Sequence, residues 1–99
     1  MSRKDYNKLL VSTNEIARNA RAALGITQEQ FALLLGTHHI TVSRWERGKA
    51  VPSAFMAALM DKFAVAARRN KGIGRQAVEI YNLEGVAKAT YHLLKAAFR

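Results

Sequence analysis

Thr27-Gln28-Glu29-Gln30-Phe31-Ala32-Leu33-Leu34-Leu35-Gly36, continued by Thr37-His38-His39-Ile40-Thr41-Val42-Ser43-Arg44-Trp45-Glu46-Arg47-Gly48, is the stretch whose reading decides the architecture of this chain. Thr27 and Gln30 form a T-x-x-Q capping box, which opens a helix of about two turns with Phe31, Leu34 and Leu35 pointing inward. Gly36 stops that helix, because glycine tolerates the positive φ that a tight turn demands. Residues 39–47 carry Ile40, Val42 and Trp45 and end at Gly48, which gives a third helix too short to be stable alone. Two short helices crossing steeply need a small residue at their closest approach, and Ala32 supplies it. Val42 and Trp45 fill the core beneath the second of them. His39, Ile40, Ser43, Arg44 and Arg47 are left over its remaining surface, so that one face packs and the other is free to bind.

The same periodicity extends outward on both sides. Ser12 and Glu15 make an S-x-x-E box, after which Ile16, Ala20 and Leu24 share a face until Gly25, so a first helix is expected from about Ser12. Beyond the Lys49-Ala50-Val51-Pro52 connection, Ser53 caps a fourth helix with Phe55, Leu59, Phe63 and Ala66 on one stripe. Apolar residues recur at three and four rather than two, and the only proline is Pro52, so the fold class is all-α. The run Arg68-Arg69-Asn70-Lys71-Gly72-Ile73-Gly74-Arg75 concentrates charge and glycine and marks a linker or a mobile turn. Residues 76–83 and 86–98 follow as two more helices, the second with Ala87, Tyr91, Leu94 and Phe98 at helical spacing. The expected organisation is an N-terminal arm at 1–12, a helical domain at 13–68, a basic linker at 69–75 and a C-terminal helical unit at 76–99.

Composition narrows the partner. Sixteen Lys and Arg against 7 Asp and Glu give a net charge of +9, which favours a polyanion: nucleic acid first, an anionic membrane surface second. No run approaches the roughly 18 apolar residues of a membrane span, and residues 1–8 are polar with no apolar segment behind them, so a cytoplasmic location is expected. Zero cysteines exclude disulfides and thiolate zinc sites. Adjacent His38 and His39 diverge by roughly 100° on a helix, with no Cys, Asp or Glu close in sequence, so no metal is expected. No paired carboxylates, glycine-rich phosphate loop or serine nucleophile motif is present, so neither an enzyme nor a cofactor is expected.

The central stretch resembles the Cro and cI type of helix-turn-helix, the lambda-repressor-like domains also called the XRE family. The resemblance covers about residues 16–63 and neither terminus. It is carried by Gly25, Thr27, Gln28 and Ala32 in a G-x-T-Q-x-x-x-A pattern and by Val42-Ser43-Arg44-Trp45-Glu46 with Gly48. It implies a core of four to five helices that binds double-stranded DNA, the helix at 39–47 entering the major groove. His39, Ile40 and Arg44 match positions that usually face bases. His38, Arg47 and Lys49 match positions beside phosphates, and Thr41 and Ser43 serve either purpose. The resemblance further implies that Gln28 contacts the phosphate backbone and braces His39, and that Arg21 pairs with Glu46. Where the family usually has Ser or Thr at the start of the recognition helix, this chain has His38: either Thr37 caps one residue early or His38 is free for DNA.

A helix this short covers a few base pairs, whereas two copies on a two-fold axis read half-sites roughly 34 Å apart, so a homodimer through the C-terminal helix is expected. The function read from the sequence is a transcriptional regulator, most simply a repressor of its own promoter. The alternative is an antitoxin that binds a toxin protein with one segment and its own operator with the helix-turn-helix.

Overall fold

The computed structural model describes the backbone of residues 3–98 and the side chains of residues 14–98. Six helices make up this part: α1 (Arg3–Leu24), α2 (Gln28–Leu35), α3 (His39–Glu46), α4 (Ala54–Arg69), α5 (Ile73–Glu84) and α6 (Val86–Ala97), with no strand among the described residues. The fold is the all-α one expected, a lambda-repressor-like core followed by two extra helices.

The local punctuation acts as its chemistry requires. Thr27 Oγ1 accepts from the Gln30 amide at 3.1 Å while Gln30 Oε1 accepts from the Thr27 amide at 3.0 Å, closing the capping box of α2. Gly36 takes φ +70° and Gly48 takes the same value, so glycines bracket α3 on either side. Ser53 Oγ accepts from the Met56 amide at 3.1 Å and starts α4 as expected.

Three boundaries differ from the sequence-based expectation. Helix α1 begins by Arg3, not at Ser12, so residues 3–12 of the expected arm are its first turns, and residues 1 and 2 lie outside the described residues. Neither glycine nor proline interrupts residues 3–24, and a serine inside a helix does not end it. The expected linker shrinks to the turn Asn70-Lys71-Gly72, because Ile73 and Gly74 are buried in the first turn of α5. The recognition helix is capped by neither alternative considered: the ring of His38 caps it, Nδ1 accepting from the Ile40 amide at 3.4 Å.

The core is one cluster. Ala17, Ala20 and Leu24 of α1 meet Phe31 and Leu34 of α2, Val42 and Trp45 of α3, and Met60 and Phe63 of α4. The last two helices join it through Ile73 and Ala77 of α5 and Ala89, Leu93 and Ala97 of α6. Two polar ties reinforce α6: Thr90 Oγ1 donates to the Leu34 carbonyl at 3.4 Å, and Arg69 donates to the Ala97 carbonyl at 2.8 Å. The stripe expected on α6 lies roughly 130° round the helix from the buried one: Ala87, Tyr91 and Phe98 are exposed, while Leu94 is partly buried against the core. Phe55, expected in the α4 stripe, is 72% exposed in the first turn of α4, whereas Phe63 and Ala66 of that stripe are buried.

Gly74 sets how closely α5 approaches α1. A Cβ there would run into the Leu24 carbonyl, a backbone clash that could be relieved only by moving a helix. Gly74→Ala is therefore expected to cost about 3 kcal/mol of unfolding free energy, at the upper end of overpacking effects. Urea denaturation of the variant beside wild type measures it, and an unchanged midpoint would show that the contact is loose.

Candidate nucleic-acid interface

The site is built from the start of α2, the whole of α3 and the loop after it. Helix α3 has eight residues, and its inner face, Val42 and Trp45, is buried. On the outer face His39, Ile40, Arg44 and Arg47 are exposed, Ile40 at 54%, while Thr41 and Ser43 are half-buried at the edges. An isoleucine so exposed is in place to meet an apolar group such as a thymine methyl. Arg47 Nε donates to the Ser43 carbonyl at 3.4 Å, which lays its side chain back along the helix. Lys49 is exposed in the loop just past Gly48.

The two histidines are stacked, with ring centroids 4.8 Å apart and planes at 28°. Because His38 Nδ1 accepts from the Ile40 amide, the neutral ring carries its proton on Nε2, available to an outside acceptor. Capping and contact with a phosphate are thus compatible in one side chain.

Behind this face lies an ion pair that holds it. Arg21 Nε donates to Glu46 Oε2 at 2.7 Å and Arg21 Nη2 to Glu46 Oε1 at 2.8 Å, a two-point fork from α1 to the last turn of α3. Glu46 is only 6% exposed, and Arg21 also donates to the Ile26 carbonyl at 3.3 Å. The hydrogen bonds from the guanidinium to Glu46 raise the Arg21 pKa above its ordinary value, with partial burial opposing and the charges of Glu46 and Glu29 assisting. The pair expected from the family resemblance is therefore present. Gln28 Nε2 donates to Glu46 Oε1 at 3.4 Å, so in the free protein its amide turns toward the end of α3 and not toward His39, the residue it was expected to brace.

The structure also brings forward residues that sequence reasoning did not assign to the site. Asn14 of α1 stands behind Gly48, its Nδ2 3.9 Å from where a Cβ would project, and its Oδ1 is buried without a hydrogen-bond partner. Arg75 of α5 shares a cavity with Gly25, Ile26 and Gln30 beside the start of α2. The charge run at 68–75 was visible in the sequence, but its position next to α2 was not.

The ion pair makes an asymmetric prediction. Arg21→Ala leaves a buried carboxylate without its partner and is expected to cost roughly 3 to 5 kcal/mol, whereas Glu46→Ala leaves a half-exposed guanidinium that water can reach and costs about 2 kcal/mol. Equal losses in chemical denaturation would mean that Glu46 is solvated.

Residues 18–63 match the sequence model of the family described as Helix-turn-helix. No curated protein and no solved structure matches the chain. The matched segment begins within α1, ends at Phe63 of α4 and contains the Arg21–Glu46 pair, the caps at Thr27, His38 and Ser53, and every exposed residue of α3. Residues 18–63, a little under half of the chain, thus form a helix-turn-helix domain of the lambda-repressor-like type that the sequence resembles.

Proposed function

We propose that the protein is a sequence-specific transcriptional repressor that binds double-stranded operator DNA as a homodimer, each copy inserting α3 into the major groove. The observation that carries this reading is the exposed His39, Ile40, Arg44 and Arg47 face on a helix whose other side is anchored by Val42, Trp45 and the Arg21–Glu46 fork. His39, Ile40 and Arg44 read base edges; Gln28, His38, Arg47 and Lys49 take phosphates; Thr41 and Ser43 lie between the two. A net charge of +9 supplies the counterion release on which such binding runs.

The dimer rests on a groove of about 330 Å³ between α4 and α6, walled by Leu59, Leu94 and Thr90 and edged by Phe55 and Phe98. Phe98 is 69% exposed, with Lys62 Nζ 5.1 Å from its ring centre. Socket and protruding rings on one patch are what a two-fold interface uses, since the ring of each copy enters the groove of the other. No helix among the described residues is long and apolar enough to cross a membrane.

Arg44 has the fork geometry to donate to O6 and N7 of a guanine. Arg44→Ala is expected to cost about 1 to 3 kcal/mol on the operator and relax preference at one base pair per half-site. Lys49→Ala weakens binding to all sequences alike and makes the log-log salt slope shallower by about one unit per subunit. Selection from randomised duplexes with each variant tests this, and full preference retained by Arg44→Ala but lost by Lys49→Ala would reverse the orientation of α3.

For the dimer, Phe55→Ser with Phe98→Ser is expected to leave the fold intact, because neither ring is in the core, and to give a monomer with weakened operator binding. Sedimentation of wild type and variant decides it. A wild type that is monomeric both free and on DNA refutes the homodimer and leaves the groove to a different protein, the antitoxin reading.

A further inference from the structure

Arg75 lies outside the segment matched by the family, yet the fold carries it to the start of α2. Gly74 fixes it there. With the Leu24 carbonyl occupying the space where a Cβ would stand, the first turn of α5 is seated directly against the turn that joins α1 to α2. Arg75, the next residue, is exposed and borders a cavity of about 230 Å³ together with Gly25, Ile26 and Gln30. Lys71, in the turn before α5, is exposed as well. Neither cation forms an ion pair among the described residues, in contrast to Arg21, whose charge is spent on Glu46.

The order of groups along this surface matters. Gln28, in the first turn of α2, is bonded on one side to Glu46 and so to the end of α3. Two residues on, Gln30 borders the same cavity as Gly25 and Arg75. A DNA strand that rests a phosphate on the start of α2 while α3 lies in the groove would have Arg75 beside it, with Lys71 exposed in the turn that leads into α5. Glu79 stands on the same cavity and Glu29 in the first turn of α2, so the cavity itself is no anion pocket. What can reach a backbone are the long stems of Lys71 and Arg75, which carry their charge outward past those carboxylates.

We infer that Lys71 and Arg75 form a second electrostatic contact that grips the sugar-phosphate backbone flanking each half-site, beyond the base pairs read by α3. The inference rests on the DNA-binding reading. Such contacts hold the protein in register and add affinity without adding sequence preference. They also make affinity depend on duplex length, because the flanking phosphates must be present to be gripped.

The test uses duplexes selected by the wild-type protein from a randomised pool, each made in two lengths, trimmed at the outer edges of the half-sites or extended by about five base pairs on either side, a span of roughly 17 Å. Wild type is expected to bind the extended form about tenfold tighter than the trimmed one, and Lys71→Gln with Arg75→Gln to bind both as wild type binds the trimmed form. On the extended duplex, the salt slope of the double variant should be shallower by roughly two units per subunit. Arg75→Lys, with Lys71 kept, should retain the length preference, and unfolding temperatures confirm that the variants are folded. A double variant that keeps the wild-type length preference, or a wild type that has none while retaining its sequence preference, overturns this contact alone. A wild type that binds no duplex overturns it together with the DNA-binding reading.

Discussion

The fork between Arg21 and Glu46 is the constraint on which the position of the recognition helix depends. An eight-residue helix has too few internal hydrogen bonds to persist by itself, so its place must come from tertiary contacts. Val42 and Trp45 press it onto the core but resist sliding only weakly, since apolar contact has little direction. The two parallel hydrogen bonds at 2.7 and 2.8 Å do have direction, and they fix the last turn of α3 relative to α1. Glu46 also sits at the C-terminal end of a helix, where the dipole disfavours a carboxylate, and it is almost fully buried. Both costs are tolerable because Arg21 and Gln28 satisfy it.

The extra helices bear on this arrangement from behind. α6 reaches α2 through the Thr90 to Leu34 carbonyl bond, and α5 rests on the end of α1 through Gly74. The segment from Arg18 to Phe63 is thus one side of a larger core whose other side is Ile73, Ala77, Ala89, Leu93 and Ala97. A substitution in α6 can therefore disturb α2, and with it the start of the face proposed to bind DNA, without touching any residue of that face.

What could be read from the sequence was local or carried by the family pattern. The Thr27 and Gln30 box, the Ser53 cap and the left-handed glycines at 36 and 48 need only their neighbours in the chain to define them, and each is in place. The Arg21–Glu46 pair spans 25 residues and was legible only through resemblance. The start of α1 was misplaced because an S-x-x-E pattern is compatible with a helix interior as well as a helix start, and nothing between Arg3 and Ser12 breaks a helix. Gly74 was taken as a mark of flexibility, although here the missing side chain permits a close approach. The His38 cap was missed because the usual capping side chains are short, whereas an imidazole reaches back over its own turn. Positions on the exposed face of α3 were assigned by analogy, and their division between bases and phosphates depends on a DNA surface that the sequence does not contain.

Helix α6 shows why periodicity alone could not say which face is inside. It carries two apolar stripes, one of Ala89, Leu93 and Ala97 and one of Ala87, Tyr91, Leu94 and Phe98, and a hydrophobicity count favours the second because it holds the aromatics. Packing chose the first. Small side chains let α6 lie close to α2 and α4, and the two flanking ties, to Leu34 and from Arg69, form only at that separation. Turning the helix to bury Tyr91 and Phe98 would push it outward and break both. The consequence is an aromatic face left beside Phe55 of α4, with the Lys62 ammonium near the exposed Phe98 ring. Large apolar side chains clustered in this way on a small protein mark a surface where association would recover the burial that intrachain packing gave up. The choice that seats α6 firmly on the core is thus the same choice that leaves the aromatic face proposed above to pair with a second copy.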